Sequence, residues 1–177
     1  AGYEYAHYRN STLRKIFAGQ GENDINYQTN LRFSKFGMSG QLSKAYLEEK
    51  LRLSFGVRTD FNTWSLHLMN PLPQLSPRFS ASYSLTDKMS LNFNIGRYYQ
   101  LPPYTALGYS GNDGVFINRN NDLKYTRAGH IVGGFEFTPA ENVQFTLEGF
   151  YKKYSDYPFS VRDQVPLSSK SAGYGIF

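Results

Sequence analysis

The chain contains no cysteine, which excludes disulfide staples and thiolate metal sites. It has no stretch approaching the roughly 18 consecutive apolar residues of a membrane-spanning helix. Hydrophobic residues make up only 40% of its 177 positions, which is low for a membrane protein built of helices. Blocks of like charge are also missing. The net charge of +5 comes from scattered lysines and arginines, a pattern of solvated positions that argues against a nucleic-acid partner. The three histidines, His7, His67 and His130, stand far apart, and no zinc spacing, phosphate-cradling glycine loop or nucleophile elbow occurs. No catalytic constellation stands out, so the chain reads as a non-enzyme with no cofactor and no metal.

Aromatic residues are abundant, at 17% with 15 tyrosines and 14 phenylalanines. The other dominant feature is alternation. In residues 50–61, KLRLSFGVRTDF, the positions Leu51, Leu53, Phe55, Val57, Thr59 and Phe61 alternate with Lys50, Arg52, Ser54, Gly56, Arg58 and Asp60. Successive side chains of a strand point to opposite faces, so this run has one oily and one wet face. It is long enough to cross a bilayer as a tilted strand, which needs roughly 9–11 residues.

Similar runs recur. A first strand is expected near residues 2–8, with Tyr3, Tyr5 and His7 on one face, and residues 10–30 read as a long polar loop. A second strand covers about 32–46, with Phe36, Met38, Leu42 and Tyr46 opposite Ser39, Gln41 and Ser43. Residues 62–75 form a connection holding Pro71 and Pro73, which cannot donate to a central ladder. A fourth strand (78–85) sets Phe79, Ala81, Tyr83 and Leu85 against Ser80, Ser82 and Ser84. A fifth (89–100) sets Met89, Leu91, Phe93 and Ile95 against Ser90, Asn92 and Asn94. Residues 101–127 are the longest loop, a sixth strand covers 128–138, and a seventh covers 143–154. The remainder, 158–177, reads as loop with the start of an eighth strand.

The connections alternate long and short. The short ones fall at Glu48-Glu49, Asp87-Lys88 and residues 139–142. In outer-membrane barrels short turns face the periplasm and long loops face outside. The expected fold is therefore all-β, an antiparallel up-and-down transmembrane β-barrel segment of about seven or eight strands. The outer membrane of a bacterial cell is its expected location, with membrane lipid as a partner. A small closed barrel (a pore or adhesin) and a soluble ligand-binding β-sandwich at the cell surface are the alternatives.

Several motifs bear a family resemblance. The stretch LSPRFSASYSLTDKMSLNFNIGRYYQLPPY (75–104) resembles a barrel hairpin of TonB-dependent outer-membrane receptors. Its elements are Pro77-Arg78, the Asp87-Lys88 turn, Gly96-Arg97-Tyr98 and Pro102. GVRTD (56–60) is similar to the family's Gly-Leu-Arg-Tyr-Asp strand end, with Thr59 replacing the usual tyrosine. The following hairpin is similar too, but Tyr125-Thr126 stands where Pro-Glu is frequent, and Val132 where glutamate is frequent. The style of the loops resembles receptors of Bacteroides-like bacteria. The resemblance implies that residues 1–177 are part of a barrel domain of about 22 strands, with the plug and the remaining strands lying outside this chain. It further implies import of a scarce nutrient such as a siderophore, cobalamin or glycan, driven by the TonB complex of the inner membrane.

Two residue sets are the candidate sites. Arg52, Arg58, Asp60, Asn92, Asn94, Glu136, Gln144 and Glu148 fall on the wet faces and are expected to line the lumen, together with His130. In the longest loop, Tyr104, Tyr109, Asn112, Asp113, Phe116 and Arg119 combine aromatic, amide and charged groups suited to a small nutrient ligand. Asp113 and Asp122 lack an EF-hand pattern, which argues against calcium. Arg97 continues the oily parity of Ile95. Tyr98, Tyr99, Tyr104, Tyr151, Tyr154 and Tyr157 read as an aromatic girdle at the outer strand ends.

Overall fold

The computed structural model describes residues 1–17, 22–110, 114–121, 123–160 and 165–166. Seven antiparallel strands form one sheet in chain order: β1 (Gly2–Phe17), β2 (Glu22–Tyr46), β3 (Leu51–Asn62), β4 (Ser76–Thr86), β5 (Met89–Gln100), β6 (Thr126–Ala140) and β7 (Val143–Ser155). Each strand pairs with its sequence neighbours, and β1 and β7 are the edges. This is the all-β, up-and-down half-barrel expected from the alternation. Two short strands, β8 (Phe159–Ser160) and β9 (Val165–Pro166), pair with each other; the rest of the stretch expected to hold loop and the start of an eighth strand, 161–164 and 167–177, lies outside the described residues.

The register carries the two-faced pattern across every strand. Phe36, Phe61, Leu42 and Phe55 lie on one face of β2–β3. Phe55 continues to Phe79 and then Ile95, and Ile95 to Ile131 and Tyr151. Nothing in the described residues covers this face. Leu42 is 79% exposed, Leu147 73% and Phe145 61%. A soluble sandwich would bury these side chains between two sheets. Here the apolar surface is left facing outward, as lipid requires. Lys44 also lies on this face, near the short-turn end. Its stem runs outward and its ammonium rests over the Tyr46 ring at 5.2 Å, a snorkelling arrangement.

The other face is polar in its lower half. Ser80 stands between Ser54 and Asn94, and Ser82 between Arg52 and Asn92. Gln41 Nε2 donates to Ser54 Oγ at 2.8 Å. Ser43 Oγ donates to the same oxygen at 2.8 Å.

The expected loop over residues 10–30 is corrected. β1 and β2 run on as one long hairpin, paired from Gly2↔Gly37 to Phe17↔Glu22. The pairing runs on past the stretch where apolar alternation ends in the sequence, because the ladder's backbone hydrogen bonds need no apolar side chains. The short turn after β2 is also unusual. Leu47, Glu48 and Glu49 all adopt positive φ (55°, 54° and 68°), a conformation that favours glycine or asparagine.

At the long-loop end the polar face is covered by a small hydrophobic core. Pro102 and Pro103, which offer no backbone donors, terminate β5. Pro103 then leads into a single helical turn, α2 (Tyr104–Leu107), and its carbonyl accepts from Ala106 N and Leu107 N at 2.9 and 3.1 Å. α2 buries Ala106 and Leu107 completely against Ala6, Leu31 and Phe33 of β1–β2. Trp64, together with Leu68 of the short helix α1 (Leu66–Met69), completes the cluster along with Leu123 and Tyr125. Each buried leucine or phenylalanine of the cluster contributes about 1.5–3 kcal/mol by leaving water. The long connections thus fold into a lid-like cap on the inner face.

Candidate functional site at the mouth of the inner face

Beneath this cap lies a cleft of about 790 Å³, whose lining includes Glu4, Lys35, Arg58, Asp60, Tyr104 and Tyr125. The ladder places its charges. Glu4 pairs in register with Lys35, and Lys35 with Asn62. One same-face row further on, Gly37 faces Asp60, and in the row after that Ser39 faces Arg58. Lys35 Nζ lies 2.7 Å from Glu4 Oε1 and donates to the Tyr104 hydroxyl at 2.8 Å. It therefore ties the loop helix to the barrel wall. Arg58 and Asp60, two apart on one strand and so on one face, form a two-pronged pair. Nε donates to Oδ2 and a terminal guanidinium nitrogen to Oδ1, both at 2.7 Å. Gly37 makes room for this carboxylate, because a Cβ there would lie 2.9 Å from Asp60 Oδ1.

The polar bonds of the cap are buried and directional. Asn62 is wholly buried; its Nδ2 donates to the Tyr125 hydroxyl at 2.9 Å and its Oδ1 accepts from Trp64 N at 3.0 Å. Burial pushes the Tyr125 hydroxyl above its ordinary pKa, with the Asn62 hydrogen bond opposing that shift. Asn118 Nδ2 donates to the Ala106 carbonyl at 2.7 Å, pinning the second half of the loop to α2. Thr29 Oγ1 donates to the Gly108 carbonyl. A Cβ on Gly108 would meet Thr29 Cγ2 at 2.3 Å, so only glycine fits there.

The two candidate sets fare differently. Arg52, Arg58, Asp60, Asn92, Asn94, Glu136 and Glu148 all fall on the polar face of the ladder. Only Arg58 and Asp60 lie at the cleft. Of the loop residues, Tyr104 enters the cleft and bonds Lys35. Phe116 packs against the cap, Tyr109 is half-buried and Arg119 is exposed. Asn112, Asp113 and Asp122 lie outside the described residues. Glu4 and Lys35 escape a reading of the sequence. Their only signal is polarity at wet-face positions of strands one and two, which many other positions share.

The tyrosine girdle is partly corrected. Tyr98 and Tyr154 share the polar face with His130 and Ala128. The His130 ring sits 4.7 Å from that of Tyr98 and 6.4 Å from that of Tyr154. His130 therefore does line the inner face, within an aromatic notch. Tyr151 takes the oily face, whereas Tyr99 and Tyr104 pack against the cap. Parity along the strand separates Tyr98 and Tyr154 from Tyr151, whereas Tyr99, which has the oily parity of Arg97, is drawn against the cap.

A sheet with one uncovered oily face, one polar face, short turns at one end and a capped cleft at the other defines the wall of a transmembrane β-barrel. The family model described as TonB dependent receptor-like, beta-barrel, matches residues 1–174. The chain belongs to that family of outer-membrane receptors. No curated protein and no solved structure matches it.

Proposed function

We propose that this chain is wall, lumen lining and outer loops of a TonB-dependent receptor that imports a scarce nutrient, a siderophore, cobalamin or glycan. On this reading the protein is not an enzyme and holds no cofactor. A plug domain and the TonB complex act as partners through the rest of the barrel, in the bacterial outer membrane. The observation that carries the reading is the cleft where the inner face meets the folded loop. It offers hydroxyl, ammonium, guanidinium and carboxylate groups within reach of one solute, at the end where long loops face outside.

The charges of Glu4, Lys35, Arg58 and Asp60 balance, which favours a neutral or zwitterionic solute with many hydroxyls over a strongly anionic chelate. Glycans suit this description best of the three classes. The test is uptake by cells carrying the protein, with a glycan panel, a ferric siderophore and cobalamin supplied separately. The double substitution Arg58→Gln and Asp60→Asn should reduce uptake of one class about tenfold or more while surface abundance stays constant. Unchanged uptake of all three classes in a deletion strain would refute the assignment.

A further inference from the structure

The outward face of β3–β7 carries charge at one end only. All three carboxylates of these strands, Asp60, Glu136 and Glu148, belong to the polar face. Three cations, Arg97, Arg127 and Lys153, belong to the oily face, and all sit at its long-loop end. Arg127 has a carboxylate close by, with Asp156 Oδ2 at 3.4 Å. Arg97 and Lys153 have no ion-pair partner among the described residues, and both are exposed.

These two cations occupy a single row, Arg97↔Gly129↔Lys153. Two ladder steps put their backbones roughly 10 Å apart, a span that two long side chains can close on one anion. Gly129 leaves the space between them empty, since a Cβ there would approach nothing nearer than the Lys153 carbonyl at 4.0 Å. The adjoining groove, of about 430 Å³, is walled by Phe55, Phe79, Ile95 and Ile131. Further from the loops the row Phe93↔Gly133↔Gly149 continues as a second depression, because both glycines face open space.

We propose that this face binds one phosphate-bearing acyl lipid of the surrounding leaflet. The phosphate sits between Arg97 and Lys153 over Gly129, and an acyl chain lies along the groove toward Gly133. Snorkelling would explain either cation alone. It does not explain two on one row flanking a glycine, above an apolar channel and facing away from every acid of five strands. The headgroup supplies the anion that the protein withholds from this face, and charge-assisted hydrogen bonds from the guanidinium fix it.

The experiment uses the intact outer-membrane protein in an uncharged detergent. Native mass spectrometry follows titration with dimyristoyl phosphatidic acid, dimyristoylglycerol and inorganic phosphate in separate arms. Phosphatidic acid should remain bound, and neither of the others should. Arg97→Gln with Lys153→Gln should weaken retention about tenfold or more, and Gly129→Phe should do so by filling the notch with both cations kept. Lys152→Gln, one residue away but on the opposite face, should change nothing. Equal retention of phosphatidic acid and diacylglycerol, or displacement by an equal concentration of phosphate, would overturn the proposal. So would full retention by the double variant. Heat-modifiable gel mobility confirms that each variant is folded.

Discussion

Two neighbouring residues offer the most direct check on the face assignment. Ala81 and Ser80 are consecutive in β4, yet Ala81 stands between Leu53 and Phe93 on the oily face while Ser80 stands between Ser54 and Asn94 on the other. Ala81 is the middle residue of β4, which runs Ser76–Thr86. Five steps of about 3.3 Å, tilted by about 45°, place it roughly 12 Å from either end of the strand. It is therefore close to the midplane of an apolar band about 25 Å tall. Ala81→Arg should cost about 2–4 kcal/mol there, or about thirty- to a thousandfold in the folding equilibrium. Ser80→Arg faces water and polar neighbours and should stay within about 0.5 kcal/mol of the parent. Urea unfolding of the intact protein in phospholipid vesicles, read by heat-modifiable gel mobility, measures both. Equal penalties, or a larger one for Ser80→Arg, would refute the assignment of lipid to the oily face.

Four further outcomes follow from the cap, the cleft and the turn. Leu107→Ala empties part of the fully buried cap and should destabilise it by about 2–5 kcal/mol; protease cleavage within residues 101–125 should accelerate while exchange in mid-β4 stays slow. Gly37→Val would press on the Asp60 carboxylate and displace it from Arg58, so solute uptake should fall with little change in unfolding midpoint. Tyr125 has a folded pKa raised above its ordinary 10.0 by burial. The stability this contributes is complete below about pH 10 and declines as pH rises through the folded value. In an ultraviolet titration of tyrosinate, Tyr125→Phe should remove a late-ionising group. Glu49→Gly relieves one of three left-handed non-glycine residues in the turn, where the strain is about 1–2 kcal/mol per residue. It should raise the urea midpoint, and an unchanged or lower midpoint would contradict the turn geometry.

The faces of the strands are legible in the sequence because the cost of misplacing a charge in lipid is local to each residue. Period-two alternation has to appear within each run, and it assigns Leu53, Phe93 and Phe145 to one face and Arg52, Asn92 and Glu148 to the other. Short turns at Asp87-Lys88 and near residues 139–142 are legible for the same reason, since a tight reversal leaves few residues to read. The extent of the first hairpin is not. Its ladder is held by backbone bonds that any side chain allows.

What the sequence alone determined about this protein is which side of each ribbon is wet and which end bears the long loops. What only the tertiary structure decided is which distant residues meet. Glu4, Lys35 and Tyr104 converge although Lys35 lies 31 residues from the first and 69 from the last. Arg97, Gly129 and Lys153 form one row across three strands. The cap of Leu107, Trp64 and Phe33 gathers from aperiodic loops. The physical reason is that side-chain direction follows from the strand's own pleat, whereas neighbourhood follows from ladder register and loop burial, which no single segment encodes.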